Sequence, residues 1–306
     1  MARGHEPEEF LDPREPHNAG QRDAQTGPRI GDSRQQEPDQ QRQAETIDLN
    51  PLTGRSPELR KIYEVRGRTY RLRPSEIRTM LEIGKFRTLA LEDLREFIYT
   101  GKNPSWRPDV ENLVRQGLVQ TKTIPHEEWG SRQLLALTRP GLRFLTEQQA
   151  AGKDQALYSG FAKPREAHHD ADLYRLYQKA ADKIERAGGK HLRVVLDYEL
   201  KKRVYRDLVK LGPARTSPES RRTVAERHGL SVVREKIPLP DVRIEYETPE
   251  GAMARVDVEL ATGHYRARTL AEKVRAGFSI YARVGDVPNL RRVLEQHELT
   301  AEILSL

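Results

Sequence analysis

Cysteine is absent from the 306 residues. That removes disulfides, thiolate catalysis and every zinc site built on cysteine. No stretch approaches the roughly 20 apolar residues a spanning helix needs, so no membrane partner is expected. Hydrophobic residues make up 36% against 32% charged, with a mean hydropathy of −0.79. The opening MARGHEPEEF holds no apolar run, so a cytoplasmic protein without a secretory leader is expected. A phosphate-cradling Gly-rich loop, G-x-S-x-G and H-E-x-x-H are missing too. NTPase, α/β-hydrolase and zinc-protease readings are therefore without support.

What is present is charge, unevenly spread. Lys+Arg number 53 against 46 Asp+Glu, for a net +7. Residues 1–50 carry six arginines and eleven acids, a net −5, which leaves +12 to the rest. This Gln- and Pro-rich opening has no hydrophobic periodicity and cannot offset its own ordering entropy. Residues 1–56 are expected to be a disordered acidic tail. The basic remainder points to a polyanion partner, and it divides into two expected domains, 57–150 and 160–306, of an α+β protein.

In the first, Pro74-Ser75-Glu76 opens a helix with Ile77, Met80 and Leu81 inward, and Leu89 to Tyr99 follows as a second. Ser105 caps a third, whose Trp106, Val110, Leu113 and Val114 form a buried stripe opposite Arg107, Glu111 and Arg115. Strands at Leu118–Ile124 and Gln133–Leu137 and a last helix, Leu142–Gln148, complete the unit. Three helices and then a hairpin is the order of a winged helix-turn-helix. There the third helix enters the major groove and the hairpin flanks it along the phosphates. Lys102, Asn103, Arg107 and Arg115 are the candidate contacts on or before that helix, and Lys122 and Arg132 those on the wing. Such a unit also serves protein–protein contact, so an adaptor remains an alternative.

In the second, Asp170–Ala187 is an amphipathic helix, and strands are expected at Leu192–Lys201, Ile237–Glu247 and Ala254–Thr262. A long helix, Arg266–Arg283, a helix at Asn289–His297 and a short strand, Ala301–Leu304, close the chain. Asp197, Glu199, Asp241, Asp257 and Glu259 fall where three adjacent strands bring carboxylates together. Such a cluster suits Mg²⁺ or Mn²⁺, which activates water and stabilises a phosphodiester's developing charge. Arg243, Glu245 and Glu247 fit an ordinary solvated sheet face. His168 and His169 fit first-turn helix chemistry.

Pro240-Asp241 on one strand and Asp257-Val258-Glu259 on the next resemble the PD-(D/E)xK nuclease superfamily. The longer run of His169-Asp170, RVVLDYELK, the Pro-Asp, VELATGHYR and the segment from Lys273 to Tyr281 resembles the replication-relaxation family of plasmid and mobile-element proteins. The similarity spans about residues 74–283. It implies a winged helix followed by a restriction-endonuclease-like sandwich. It also implies a double-stranded DNA partner, together with relaxosome or replication proteins, in plasmid replication or mobilisation. It makes Asp241 and Glu259 metal ligands and catalytic residues, with Asp257 a further ligand and Asp170 the acid such folds draw from a helix. The superfamily's lysine two residues after the second acid is missing, because Ala261 stands there after Glu259. Lys273 on the following helix is the substitute, and Glu199-x-Lys201 is a second short match. With the strand lysine missing, an accessory or regulatory DNA-binding protein is the expected function, and an active metal-dependent endonuclease or nickase and a protein-interaction adaptor are the alternatives.

Overall fold

The computed structural model describes residues 59–99, 106–126, 130–152, 154–161, 166–263, 265–297 and 301–306. All of these lie within one compact unit, Ile47–Leu306. The architecture is mixed, with nine α-helices and three sheets among the described residues.

A hairpin that sequence reading did not anticipate comes first, β1 (Lys61–Val65) against β2 (Arg68–Leu72). Tyr63 and Tyr70 meet the Phe144 ring edge-on, which fixes the hairpin to the helix carrying Phe144. Next come α1 (Pro74–Phe86), β3 (Leu89–Ala90), α2 (Leu91–Phe97) and α3 (Trp106–Arg115). Then follow β4 (Val119–His126), β5 (Gly130–Leu137) and α4 (Arg139–Glu147). The expected order of three helices and a hairpin is present, and β5 lies between β3 and β4 in a three-stranded sheet. Thr138 caps α4 by accepting from the Gly141 N–H. A β-carbon at Gly141 would lie 2.1 Å from the Leu118 carbonyl oxygen, so glycine lets α4 close on the start of the hairpin.

The second half begins with α5 (Ala167–Arg186), β6 (Lys190–Leu196) and α6 (Asp197–Lys210). A short 3₁₀ turn (Gly212–Thr216) leads to α7 (Pro218–Arg227), then β7 (Val242–Glu247) and β8 (Met253–Ala261). The chain ends with α8 (Ala267–Arg275), β9 (Ser279–Ala282), α9 (Val287–Gln296) and β10 (Ile303–Ser305). The five strands run in the order β10-β9-β8-β7-β6. Pairs β6–β7 and β7–β8 are antiparallel, whereas β8–β9 and β9–β10 are parallel. Alternate residues feed opposite faces. Val194, Leu196, Ile244 and Tyr281 join Leu173 and Tyr177 of α5, while Val195, Ala261 and Ile280 join Leu200, Leu270 and Leu290 on the other side.

Three expectations give way here. The predicted strand Leu192–Lys201 stops at Leu196 and turns into α6. Val194, Val195 and Leu196 are all buried, the mark of a strand covered on both faces. Beyond them Leu200 and Val204 recur at helical, not strand, spacing. The predicted helix Arg266–Arg283 ends at Arg275, because Gly277 takes φ +87° and the chain re-enters the sheet as β9. The predicted strand from Ile237 begins only at Val242, since Pro238 and Pro240 cannot donate to a ladder.

The first half joins the second through charge as well as apolar packing. Arg132, 2% exposed, donates to Glu92 (2.5 Å) and Asp93 (3.0 Å) of α2 and to Asp172 (2.7 Å) of α5. Arg175 also holds Asp93, and Arg283 holds Asp172.

Candidate functional site

The β7–β8 register pairs Val242 with Val258, so Asp241, one residue before β7, falls opposite Glu259. Each acid takes a backbone N–H from the other's neighbourhood. Asp241 N donates to Glu259 Oε2 (3.2 Å), and Leu260 N donates to Asp241 Oδ2 (2.8 Å). From α8, Lys273 Nζ comes within 2.7 Å of Glu259 Oε1 and donates to the Leu239 carbonyl at 2.6 Å. Tyr265 donates its hydroxyl to the same Oε1 at 2.5 Å.

Glu259 has no exposed surface. Burial and the neighbouring Asp241 push its pKa up, and although Lys273 and Tyr265 pull it down the net is a rise from 4.5 to about 7. Three donors and no acceptor meet its two oxygens, so its hydrogen bonds favour the ionised carboxylate while its burial opposes it. Burial, together with Glu259, raises the Tyr265 phenol far above its usual range, which keeps it a donor.

The other oxygen of Asp241, Oδ1, faces His169 Nε2 of α5 at 3.4 Å. Burial works to lower the His169 pKa, but the hydrogen bond and charge of Asp241 outweigh it and raise it to about 9. His169, in the first turn of α5, is thereby also placed as a partner of Asp241. Burial raises the adjacent Asp170 to about 6 despite Arg87, whose guanidinium is 3.5 Å away. Arg87 ends α1 at φ 64°, a left-handed conformation uncommon outside glycine. Its guanidinium lies over the rings of Tyr158 and Tyr198. Asp197, at the start of α6, donates its N–H to the Asp241 carbonyl at 3.0 Å.

Other expected members are elsewhere. Asp257 stands directly across from Arg243 and binds it with both oxygens, at 2.6 and 2.8 Å. Arg243 is buried rather than solvated, and it also donates to the carbonyls of His228 (2.5 Å) and Gly229 (3.2 Å). Both Asp257 oxygens are thus held by Arg243, two residues before Glu259 on the same strand. Glu199 lies on α6, not a strand, and accepts from Arg193 (2.9 Å) and Tyr158 (3.3 Å). Lys201 is exposed on the same helix.

Among the described residues no group of three or more His, Asp or Glu is gathered as a metal cage. Asp241 and Glu259 are nonetheless adjacent hard oxygen donors, and Mg²⁺ usually keeps several waters and takes only one or two carboxylates.

A second surface lies on α3. Asp109 is fully buried and accepts from Arg73 (2.7 Å), Ser75 (2.6 Å) and Tyr99 (3.0 Å). Asn112 donates to Glu76 (2.9 Å) and to the Arg71 carbonyl (3.1 Å). These polar anchors, with Val110 and Leu113, fix the inner face of α3, and Val114 is exposed instead of buried. Arg107, Glu111 and Arg115 then face solvent, and Lys122 of β4 is exposed too. Arg132 points the other way, into the carboxylates of α2 and α5, and cannot reach a phosphate. Lys102, Asn103, Ser105 and His264 lie outside the described residues.

No protein family and no curated protein matches this chain. Among solved structures, Bacillus subtilis PadR in complex with operator DNA is similar at 13% identity. It covers 51% of this chain and 91% of its own, with a TM-score of 0.21, too slight to assign a fold. No helix among the described residues is long and apolar enough to cross a membrane.

Proposed function

We propose that this chain binds double-stranded DNA through a winged helix in its first half and cleaves or nicks it at an acidic centre in its second, as a replication-relaxation-type protein of a plasmid or mobile element. The observation that carries the reading is the meeting of Asp241, Glu259 and Lys273 from a strand approach, a strand and a helix, with Lys273 Nζ 2.7 Å from Glu259. The lysine missing after Glu259 is replaced in space by one 14 residues further on. In this reading Asp241 and Glu259 would hold Mg²⁺ or Mn²⁺, which would supply an activated water and charge stabilisation at the phosphate. Lys273 stands beside the scissile group, Tyr265 fixes Glu259 and His169 fixes Asp241. The order of three helices and a hairpin, with Arg107, Arg115 and Lys122 exposed, supports the winged helix and its duplex partner.

A second reading is favoured by the filling of both Glu259 oxygens by the Asp241 N–H, Lys273 and Tyr265: a nuclease scaffold whose centre is closed on itself, leaving a DNA-binding accessory that works with relaxosome or replication proteins. Divalent-metal-dependent DNA cleavage by the full chain, lost in Asp241→Asn, decides for the first. Salt-sensitive binding without cleavage decides for the second.

A further inference from the structure

The module between β6 and β7 is the most basic stretch of the second half. From Leu200 to Arg227 it carries nine Lys and Arg against three Asp and Glu. Helix α6 buries Leu200, Val204 and Asp207 and turns its opposite side to solvent. On that side Lys202, Arg206 and Lys210 form one row at i, i+4 and i+8, with steps of about 6 Å. Beside them runs a second row, Lys201, Tyr205 and Val209, in which Tyr205 is 55% and Val209 61% exposed. Lys201 Nζ lies over one face of the Tyr205 ring, 6.0 Å from its centroid, which leaves the other face for a base. The nearby Asp207 does not neutralise the patch. It is a single carboxylate among Lys210 (3.4 Å), Arg227 (3.5 Å) and Arg206 (3.9 Å).

From this we infer that the outer face of α6 is a second nucleic-acid contact, and that it binds a single strand of DNA. A row of cations tracks a phosphate backbone, and an exposed aromatic beside it offers a stacking platform that an unpaired base can reach and a paired one cannot. The direction of α6 adds a purpose. Its first residue, Asp197, is bonded to the Asp241 backbone, and a rise of 1.5 Å per residue sets Lys202 and Lys210 about 8 and 20 Å along the axis from there. A strand lying on α6 is led to the acidic centre. The binding claim goes beyond the proposed function; only the destination of the strand rests on it.

The test is equilibrium binding of the full chain to a labelled 20-nucleotide single strand and to the matching duplex, in EDTA so that cleavage plays no part. Changing Lys202, Arg206 and Lys210 together to Gln is expected to weaken single-strand binding at least tenfold and to lower its salt slope by about 2. Tyr205→Ala is expected to cost roughly tenfold on the single strand and under twofold on the duplex, with Tyr205→Phe close to wild type. All four positions are exposed, so unchanged melting curves verify folding. Unchanged single-strand affinity in the triple variant overturns the inference. So does an equal loss on both DNAs in Tyr205→Ala, or equal wild-type affinity for a polyglutamate of matched charge. Absence of cleavage in metal bears on the acidic centre alone and leaves these outcomes as they stand.

Discussion

Arg132 and Asp172 lie 40 residues apart in sequence and 2.7 Å apart in space. Arg132 alternates onto the wing-like strand β5, where a basic residue reads as a phosphate contact, yet it is buried among Glu92, Asp93 and Asp172. Its removal strands buried carboxylates. Arg132→Met is expected to lower stability by about 3 kcal/mol in denaturant titrations. The salt slope of DNA binding by the remaining folded protein stays that of the wild type.

Arg107 and Arg115 behave in the opposite way. Both are exposed on α3, with the buried Asp109 and Asn112 holding the helix beneath them. Changing both to Gln is expected to leave the denaturation midpoint in place and to reduce the duplex salt slope by about 2. Titrations between low and physiological salt measure it.

Stability should fall with rising pH in two ranges, a lower one set by Asp170 and by Glu259, whose pKa is raised from 4.5 to about 7, and an upper one set by His169. The folded-state pKa of Asp170 is raised from 3.8 to about 6, so the folded chain holds its proton longer and loses stability between those values. His169 is raised from 6.5 to about 9, so its contribution is whole below about 6.5 and lost as pH climbs to about 9. His169→Gln should abolish the upper step and keep the lower one. Chemical denaturation at pH 4, 6.5 and 9 resolves the two.

Lys273 is the cation nearest the fully buried Glu259. Lys273→Met leaves that carboxylate without its ion pair, so the acid's pKa rises further. The expected loss is about 3 kcal/mol at pH 8 and much less at pH 5, where the acid takes up a proton. An equal loss at both pH values would mean that Lys273 contributes packing against Phe278, not charge.

Much of the frame was legible in the sequence because it rests on local signals. Pro74-Ser75-Glu76, the spacing of Val110 and Leu113, and Thr138 before Pro140 place α1, α3 and α4 within a few residues. The Asp241–Glu259 pair was legible because antiparallel register is set by a short turn. Partner choice was not. Asp257 and Glu259 alternate onto one strand face, and nothing local says that Arg243 takes the first and Lys273 the second. Nor did alternation distinguish β6 from α6, because Val194, Val195 and Leu196 are covered on both faces. Arg87 reaches Asp170 from the other half of the chain, a contact that only the packing of α1 on α5 creates.

The most direct test of the acidic centre is nicking of supercoiled plasmid by the full chain in Mg²⁺ and in Mn²⁺, beside Glu259→Ala and an EDTA control. The account predicts open-circular or linear product with wild type in metal, and none with Glu259→Ala or EDTA. Intact plasmid with folded, DNA-bound wild type in either metal, or equal nicking by Glu259→Ala, would contradict it.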